Sequence, residues 1–244
     1  MILIYDDGIY NNTHVMRAIH AVLPNTLVHN CGAHDVVNGC LDNAKLLIMP
    51  GGADLYLCEK LNGIGNEKIR SFVKNGGSYL GICAGAYYAC SSLDWNDGEI
   101  DGSRELAFYE GTCTGPVYKW VEDKNNVYNG SWIQAVEIKT NDATLVTHYN
   151  GGGIFSEPNT HSVDVIARYS SLPNTPPAVI SGTFGKGRYI LSSPHIEKFG
   201  HLLSDGLYKH LNKSYEREKT AIDQLLEHEQ AQKDFFKSIL QKLL

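Results

Sequence analysis

The sequence predicts an α/β fold: an open, mostly parallel sheet with helices on both faces, joined to an added β-rich segment and a C-terminal helix. Three observations predict it. The first hundred residues alternate short β-rich runs with apolar residues at helical spacing, the pattern of a helix-covered parallel sheet. From about residue 105 to 194 the chain turns to successive β-rich runs. From about 213 it is charged, free of Gly and Pro, and apolar on one helical face. A chain of 244 residues accommodates one large domain and an appendage, expected as 1–212 and 213–244.

Each element has its own reason. Ile2 to Tyr5 is an apolar strand ended by Asp6-Asp7-Gly8, and residues 12–23 carry Val15, Ile19 and Val22 at helical spacing. Residues 26–30 and 45–49 read as strands, the second buried and ending at Pro50-Gly51-Gly52. A helix over 66–74, with Ile69, Phe72 and Val73 on one face, closes at Asn75-Gly76-Gly77. Ser78 to Ile82 is a strand that passes directly into a helix over 84–91. Strands follow at 117–121, 133–139, 144–149, 163–169 and 178–193. The last breaks at Gly185-Lys186-Gly187, which reads as a hairpin turn because the phosphate-loop frame G-x-x-x-x-G-K-[ST] is absent. In the tail, Ile222, Leu225, Leu226, Phe235, Phe236, Ile239, Leu240 and Leu243 share a helical face, interrupted by the polar stretch 227–232. That helix either packs on its own domain or contributes to a homodimer.

Composition narrows the function classes. With 21 Lys+Arg against 27 Asp+Glu, a net charge of −6, and no basic block, the chain is not expected to bind nucleic acid. Its longest apolar run, Leu46-Leu47-Ile48-Met49, is far below the roughly 20 residues of a membrane span. The start lacks a signal-peptide pattern, so a cytoplasmic protein with free thiols is expected. The six cysteines, Cys31, Cys40, Cys58, Cys83, Cys90 and Cys113, include no C-x-x-C pair, and neither a metal nor another cofactor is expected.

One cysteine stands apart. Gly81-Ile82-Cys83-Ala84-Gly85-Ala86 sits where an apolar strand meets a helix, the arrangement of a nucleophile elbow. Cys83 is thereby expected at the carboxyl end of a sheet strand, where open α/β folds bind ligands, and at a helix N-terminus, which favours a thiolate. A thiolate nucleophile needs a base, and the base an orienting group. Ser193-Pro194-His195-Ile196-Glu197 supplies both: across one extended residue, His195 and Glu197 point to the same side. The other histidines lack comparable company; His14, His20, His161, His201 and His210 read as surface or packing residues. Donors for an oxyanion are expected from the amides of Ala84, next after the nucleophile, and Gly52, in the turn after the third strand.

These residues resemble those of class I glutamine amidotransferases: Pro50-Gly51-Gly52 as the oxyanion turn, Gly81-Ile82-Cys83-Ala84-Gly85 as the elbow, and Pro194-His195-Ile196-Glu197 as the His-x-Glu pair. A closer resemblance is to the N-terminal, amidotransferase-like domain of biotin–protein ligases, also found as stand-alone bacterial proteins. It rests on Pro50-Gly51-Gly52-Ala53-Asp54, Gly81 to Tyr87, Gly111-Thr112-Cys113-Thr114-Gly115-Pro116 and Tyr149-Asn150-Gly151-Gly152-Gly153, within residues 1–210. The resemblance implies a flavodoxin-like sheet and substrate contacts at Gly51, Asp54, Tyr87, Tyr149, Asn150 and Gly151. Asp54 either caps the following helix or faces a substrate amine, and the triple-glycine segment either closes over a ligand or is a tight connection. Glutamine-hydrolysing relatives usually place Gln where this chain has Tyr87, so glutamine itself is not implied. No Gly-Arg-Gly-Arg-like biotinyl-adenylate loop occurs in the sequence, so biotin transfer is not expected of this chain.

The expected function is a cofactor-independent cysteine hydrolase acting on an amide or related acyl bond of a small molecule. The alternative is a catalytically silent ligand-binding or regulatory module that keeps the same geometry. A redox-sensing pair of Cys83 with Cys113 is a third reading.

Overall fold

The computed structural model describes residues 1–8, 12–123, 125, 132–159, 162–205 and 215–244. The expected boundary at 212, and His161 and His210, lie outside the described residues. In chain order the elements are β1 (Ile2–Tyr5), α1 (Thr13–Val22), β2 (Val28–Cys31), α2 (Ala33–Val37), β3 (Leu46–Met49), α3 (Asp54–Leu61), α4 (Ile64–Lys74), β4 (Ser78–Ile82) and α5 (Ala84–Tyr88). They continue with β5 (Cys90–Trp95), β6 (Ile100–Ser103), β7 (Tyr109–Gly115), β8 (Gln134–Lys139), β9 (Thr144–Tyr149), β10 (Ile154–Phe155), β11 (Val163–Tyr169), β12 (Pro177–Phe184) and β13 (Gly187–Ser192). Three helices end the chain: α6 (Gly200–Ser204), α7 (Tyr215–Glu227) and α8 (Glu229–Leu243).

Among the described residues the main sheet has nine strands in the order β2-β1-β3-β4-β13-β12-β11-β8-β9. The half from β2 to β13 is parallel, and the half from β12 to β9 is antiparallel. Side chains alternate between the two faces of the parallel half. Ile2, Ile4, Leu46, Ile48, Leu80 and Ile82 pack with Val15, Ala18 and Ile19 of α1 and with α8. Leu3, Tyr5, Leu47, Met49 and Tyr79 pack instead with Leu57 and Leu61 of α3 and Ile69 and Val73 of α4. This is the helix-covered sheet expected from the alternation, with the 185–187 turn joining β12 and β13 as a hairpin.

Several elements differ from expectation. Residues 117–121 form a short 3-10 turn at Tyr118–Trp120 instead of a strand, because the Val117 amide donates to the Tyr149 hydroxyl and Trp120 packs edge-on against Tyr149 and Tyr169. The helix expected over 84–91 ends at Tyr88, since the Ala89 carbonyl accepts from the Phe108 and Tyr109 amides and turns the chain into a second sheet. That sheet, in the order β10-β7-β5-β6, and the helix α3 are additional.

The tail is two helices broken at His228. Its apolar face is buried within the chain: Phe235, Phe236, Ile239, Leu240 and Leu243 belong to the same core as β1 and β4, and α8 lies on β9, β13 and β4. All six cysteines are free thiols. Among the described residues no helix is long and apolar enough to cross a membrane.

Candidate active site

Strand order assembles the site. β3, β4 and β13 are parallel neighbours, with Met49 paired to Gly81 and Ile82 paired to Ser192. The segments leaving their carboxyl ends therefore emerge side by side, and they carry Gly51-Gly52, Cys83-Ala84 and His195-Ile196-Glu197. Cys83 has φ 52° and ψ −109°, in the left-handed half of backbone space that a side chain with a Cβ rarely occupies. The turn is held by the Cys83 amide donating to Ser192 O at 2.8 Å and by the Cys83 carbonyl accepting from the Ala86 and Tyr87 amides at 2.9 and 3.1 Å.

Gly51 lies behind the other two. A Cβ added to it would stand 2.6 Å from His195 Cε1, 3.3 Å from His195 Nε2 and 3.4 Å from Cys83 Cβ. A side chain at this position would collide with the imidazole, so a glycine is needed for His195 to keep its place beside this turn. Gly51 is thus a spacer, and it does not line the cavity above Cys83.

The imidazole is oriented from its other nitrogen: His195 Nδ1 and Glu197 Oε1 are 2.8 Å apart, with both side chains almost fully buried. Burial and Lys198 pull the His195 pKa down, but Glu197 and Cys83 outweigh them and hold it above its ordinary value. For Glu197, burial raises the pKa, while the His195 charge and hydrogen bond carry it below the ordinary value. The imidazole is therefore held ready to carry a proton.

His148 is a further member that the sequence did not point to. The His195 amide donates to the His148 carbonyl at 2.8 Å, and the two rings stand edge-on with centroids 5.5 Å apart. Burial above all, then Lys198 and His195, depress the His148 pKa well below its ordinary value and keep it neutral. Only an isolated bridge between the end of β9 and the segment after β13 creates this contact.

Above Cys83 opens a cavity of about 300 Å³. Of the expected contact residues, Gly52, Asp54, Cys83, Ala84, Tyr87, Asn150 and Gly151 line it. Among the described residues, the amides of Gly52 and Ala84 donate to no other group, so both are available to a ligand. The Asn150 carbonyl accepts from Cys83 Sγ at 3.7 Å. Asp54 is held by Arg104, whose Nε and Nη2 both lie 2.7 Å from Asp54 Oδ2.

Tyr149 does not reach the cavity. Its fully buried hydroxyl donates to Gly152 O at 2.8 Å and accepts from the Val117 amide at 2.8 Å, so it braces the triple-glycine segment from beneath. Those glycines make room for Tyr87: its hydroxyl donates to Gly151 O at 3.3 Å, and a Cβ on Gly153 would lie 2.6 Å from the hydroxyl oxygen. Ala53 and Leu55, at the start of α3, also line the cavity, and the rest of the wall, Leu93, Trp95, Ile100 and Trp132, comes from β5, β6 and the segment before β8, none of which a linear motif marks.

A flavodoxin-like sheet carrying Cys83 after one strand and His195 and Glu197 after its parallel neighbour is a class I glutamine amidotransferase-like fold. The solved structure of a glutamine amidotransferase matches it with a TM-score of 0.60 at 17% identity, over 81% of this chain and 91% of that one. A glutamine amidotransferase of Thermotoga maritima matches with a TM-score of 0.59 at 15% identity, over 99% and 96% of the two chains. Residues 3–244 match the family described as biotin-protein ligase, N terminal, and the chain belongs to that family. The match runs through α7 and α8, beyond the 1–210 over which the sequence motifs carry the resemblance.

An uncharacterized protein of Chlamydia muridarum is 37% identical over 162 residues, covering 64% of this chain and 61% of that protein. The biotin–protein ligase of Schizosaccharomyces pombe is 35% identical over 162 residues, covering 64% of this chain and 26% of the ligase. The chain thus aligns to less than two thirds of the length of either relative.

Proposed function

We propose that this protein is a cysteine hydrolase that cleaves an amide or related acyl bond of a small molecule, with no cofactor. The observation that carries the reading is the convergence of a left-handed Cys83 with a His195 whose Nδ1 is held 2.8 Å from Glu197 Oε1, across a glycine that admits no side chain. His195 takes the thiol proton, and the sulfur attacks the carbonyl carbon. The oxyanion that forms is held by the amides of Gly52 and Ala84, each worth about 3 kcal/mol when preorganised. His195 returns the proton to the leaving nitrogen as the C–N bond breaks. Water, deprotonated by His195, then attacks the thioester, releasing the acid and the thiol. Glu197 stabilises the imidazolium throughout.

Alkylation by iodoacetamide at pH 7, mapped by mass spectrometry, tests the reading. Cys83 is expected to react faster than the five other thiols and to slow by about tenfold or more in His195→Ala. Equal rates in the two proteins would remove the activated nucleophile. With His195-dependent reactivity but no turnover of any amide or ester, the site would be a silent binding module.

A further inference from the structure

The cavity above Cys83 specifies the acyl group, given the hydrolase reading above. We infer that the substrate is the amide of an uncharged, apolar acyl group about the size of one flat ring, and that α-amino acid amides such as glutamine are rejected.

Size is the first argument. At about 300 Å³ the space is at the small end for ligand pockets, roomy enough for a ring with its carbonyl and too small for a large acyl group. Shape is the second. Trp95 stands edge-on to Tyr87, with centroids 5.8 Å apart at 80°, and edge-on to Trp132, at 5.5 Å and 76°. Two near-perpendicular ring pairs sharing Trp95 thus offer both faces and edges to the cavity, against which an inserted flat ring can make the preferred aromatic contacts. Leu55, Leu93 and Ile100 add aliphatic wall.

Charge is the third argument and decides against an amino acid head group. Among the described residues no Lys, Arg or His lines the cavity, so a substrate carboxylate would meet no cationic partner among them. The carboxylate that does line it, Asp54, is already bound by Arg104, whose side chain is 6% exposed. A substrate ammonium would have to share that carboxylate with a buried guanidinium. Both charges of an amino acid would lose water without adequate compensation, which costs more than the apolar contacts return.

The test uses two chloromethyl ketones, one with a benzyl group and one with the α-amino acid head of glutamine, each corrected for its rate with glutathione. In either case the sulfur of Cys83 bonds to the methylene carbon and chloride leaves, so no turnover is needed. The benzyl reagent is expected to inactivate Cys83 at least about tenfold faster at low concentration, with saturation. Trp95→Ala and Trp132→Ala should each shrink that ratio toward one; if either variant fails to fold, the ratio in the unaltered protein still decides. An equal or faster glutamine-like reagent overturns the acyl preference while iodoacetamide reactivity stands. Loss of His195-dependent iodoacetamide reactivity instead overturns the hydrolase reading, whatever the ratio.

Discussion

The buried pair of His195 and Glu197 is the place where a single side chain sets the chemistry of another. Glu197 holds the His195 pKa above its ordinary 6.5, and His195 holds the Glu197 pKa below its ordinary 4.5. The sign of the linkage follows for each partner. The histidine part of the stabilisation is complete below 6.5, its unfolded value, and is lost as pH rises through the higher folded value. The glutamate part is complete above 4.5 and is lost as pH falls through the lower folded value. Both parts are complete together only between these two pH values. The coupling energy from a double-mutant cycle of His195→Gln and Glu197→Gln should therefore peak in that interval and decline on either side. Glu197→Gln alone should move the His195 ring-proton titration to lower pH. A coupling that is flat with pH, or largest in alkali, would mean that the pair is not an ion pair.

At the scale of elements, the segment bearing His195 is held from outside the parallel strands. Gln232 of α8 is fully buried, and its Nε2 lies 3.4, 3.3 and 3.1 Å from the carbonyls of His195, Ile196 and Lys198. One amide from the tail thus serves three backbone acceptors of the turn that carries both His195 and Glu197. Gln232→Met keeps the volume and removes the donor. It should lower stability in urea by about 1–3 kcal/mol, the cost of leaving buried acceptors unpaired. It should also slow His195-dependent alkylation of Cys83, because the turn that carries the imidazole loses this tie. A stability loss with unchanged alkylation would make Gln232 a packing residue and not a positioning one.

Gln232 also shows why only part of the site was legible in the sequence. The three motifs at Gly51-Gly52, Cys83 and His195-x-Glu197 were legible because each is a local turn whose chemistry is written in consecutive residues. Gln232 was read as part of a polar interruption, since nothing in one dimension says that a glutamine faces three carbonyls. Trp95, Trp132 and Arg104 were invisible for a related reason. Trp95 and Trp132 line the cavity, and Arg104 holds Asp54 beside it, from elements far apart in sequence; β5, which carries Trp95, is rich in Ser and Asp, the latter depleted in strands. Strands β1 and β3 were the easiest part, because strands buried on both faces are continuous apolar runs.

At the scale of the whole molecule, the division between 1–212 and 213–244 has an energetic test. Phe235, Phe236, Ile239, Leu240 and Leu243 are each no more than 9% exposed and share one core with Ile4, Leu80 and Ile82. Burial of each is worth about 1.5–3 kcal/mol, so the five together match the 5–15 kcal/mol by which a typical domain is stable. Polar ties add to this: Arg217 of α7 donates to the carbonyls of Ile133 and Trp120 at 3.0 and 2.6 Å. A chain ending at residue 212 would keep α1 but uncover the part of the sheet face under α8, at β4, β13 and β9, and leave the carbonyls of His195, Ile196 and Lys198 without Gln232. The full chain should therefore unfold in urea in one transition, with helix content by circular dichroism and tryptophan fluorescence changing together. The truncated chain should lack a cooperative transition and should lose the selective reactivity of Cys83. If it instead unfolded cooperatively at an unchanged midpoint, α7 and α8 would be an accessory to a self-sufficient domain, and the support that Gln232 gives to His195 would be dispensable.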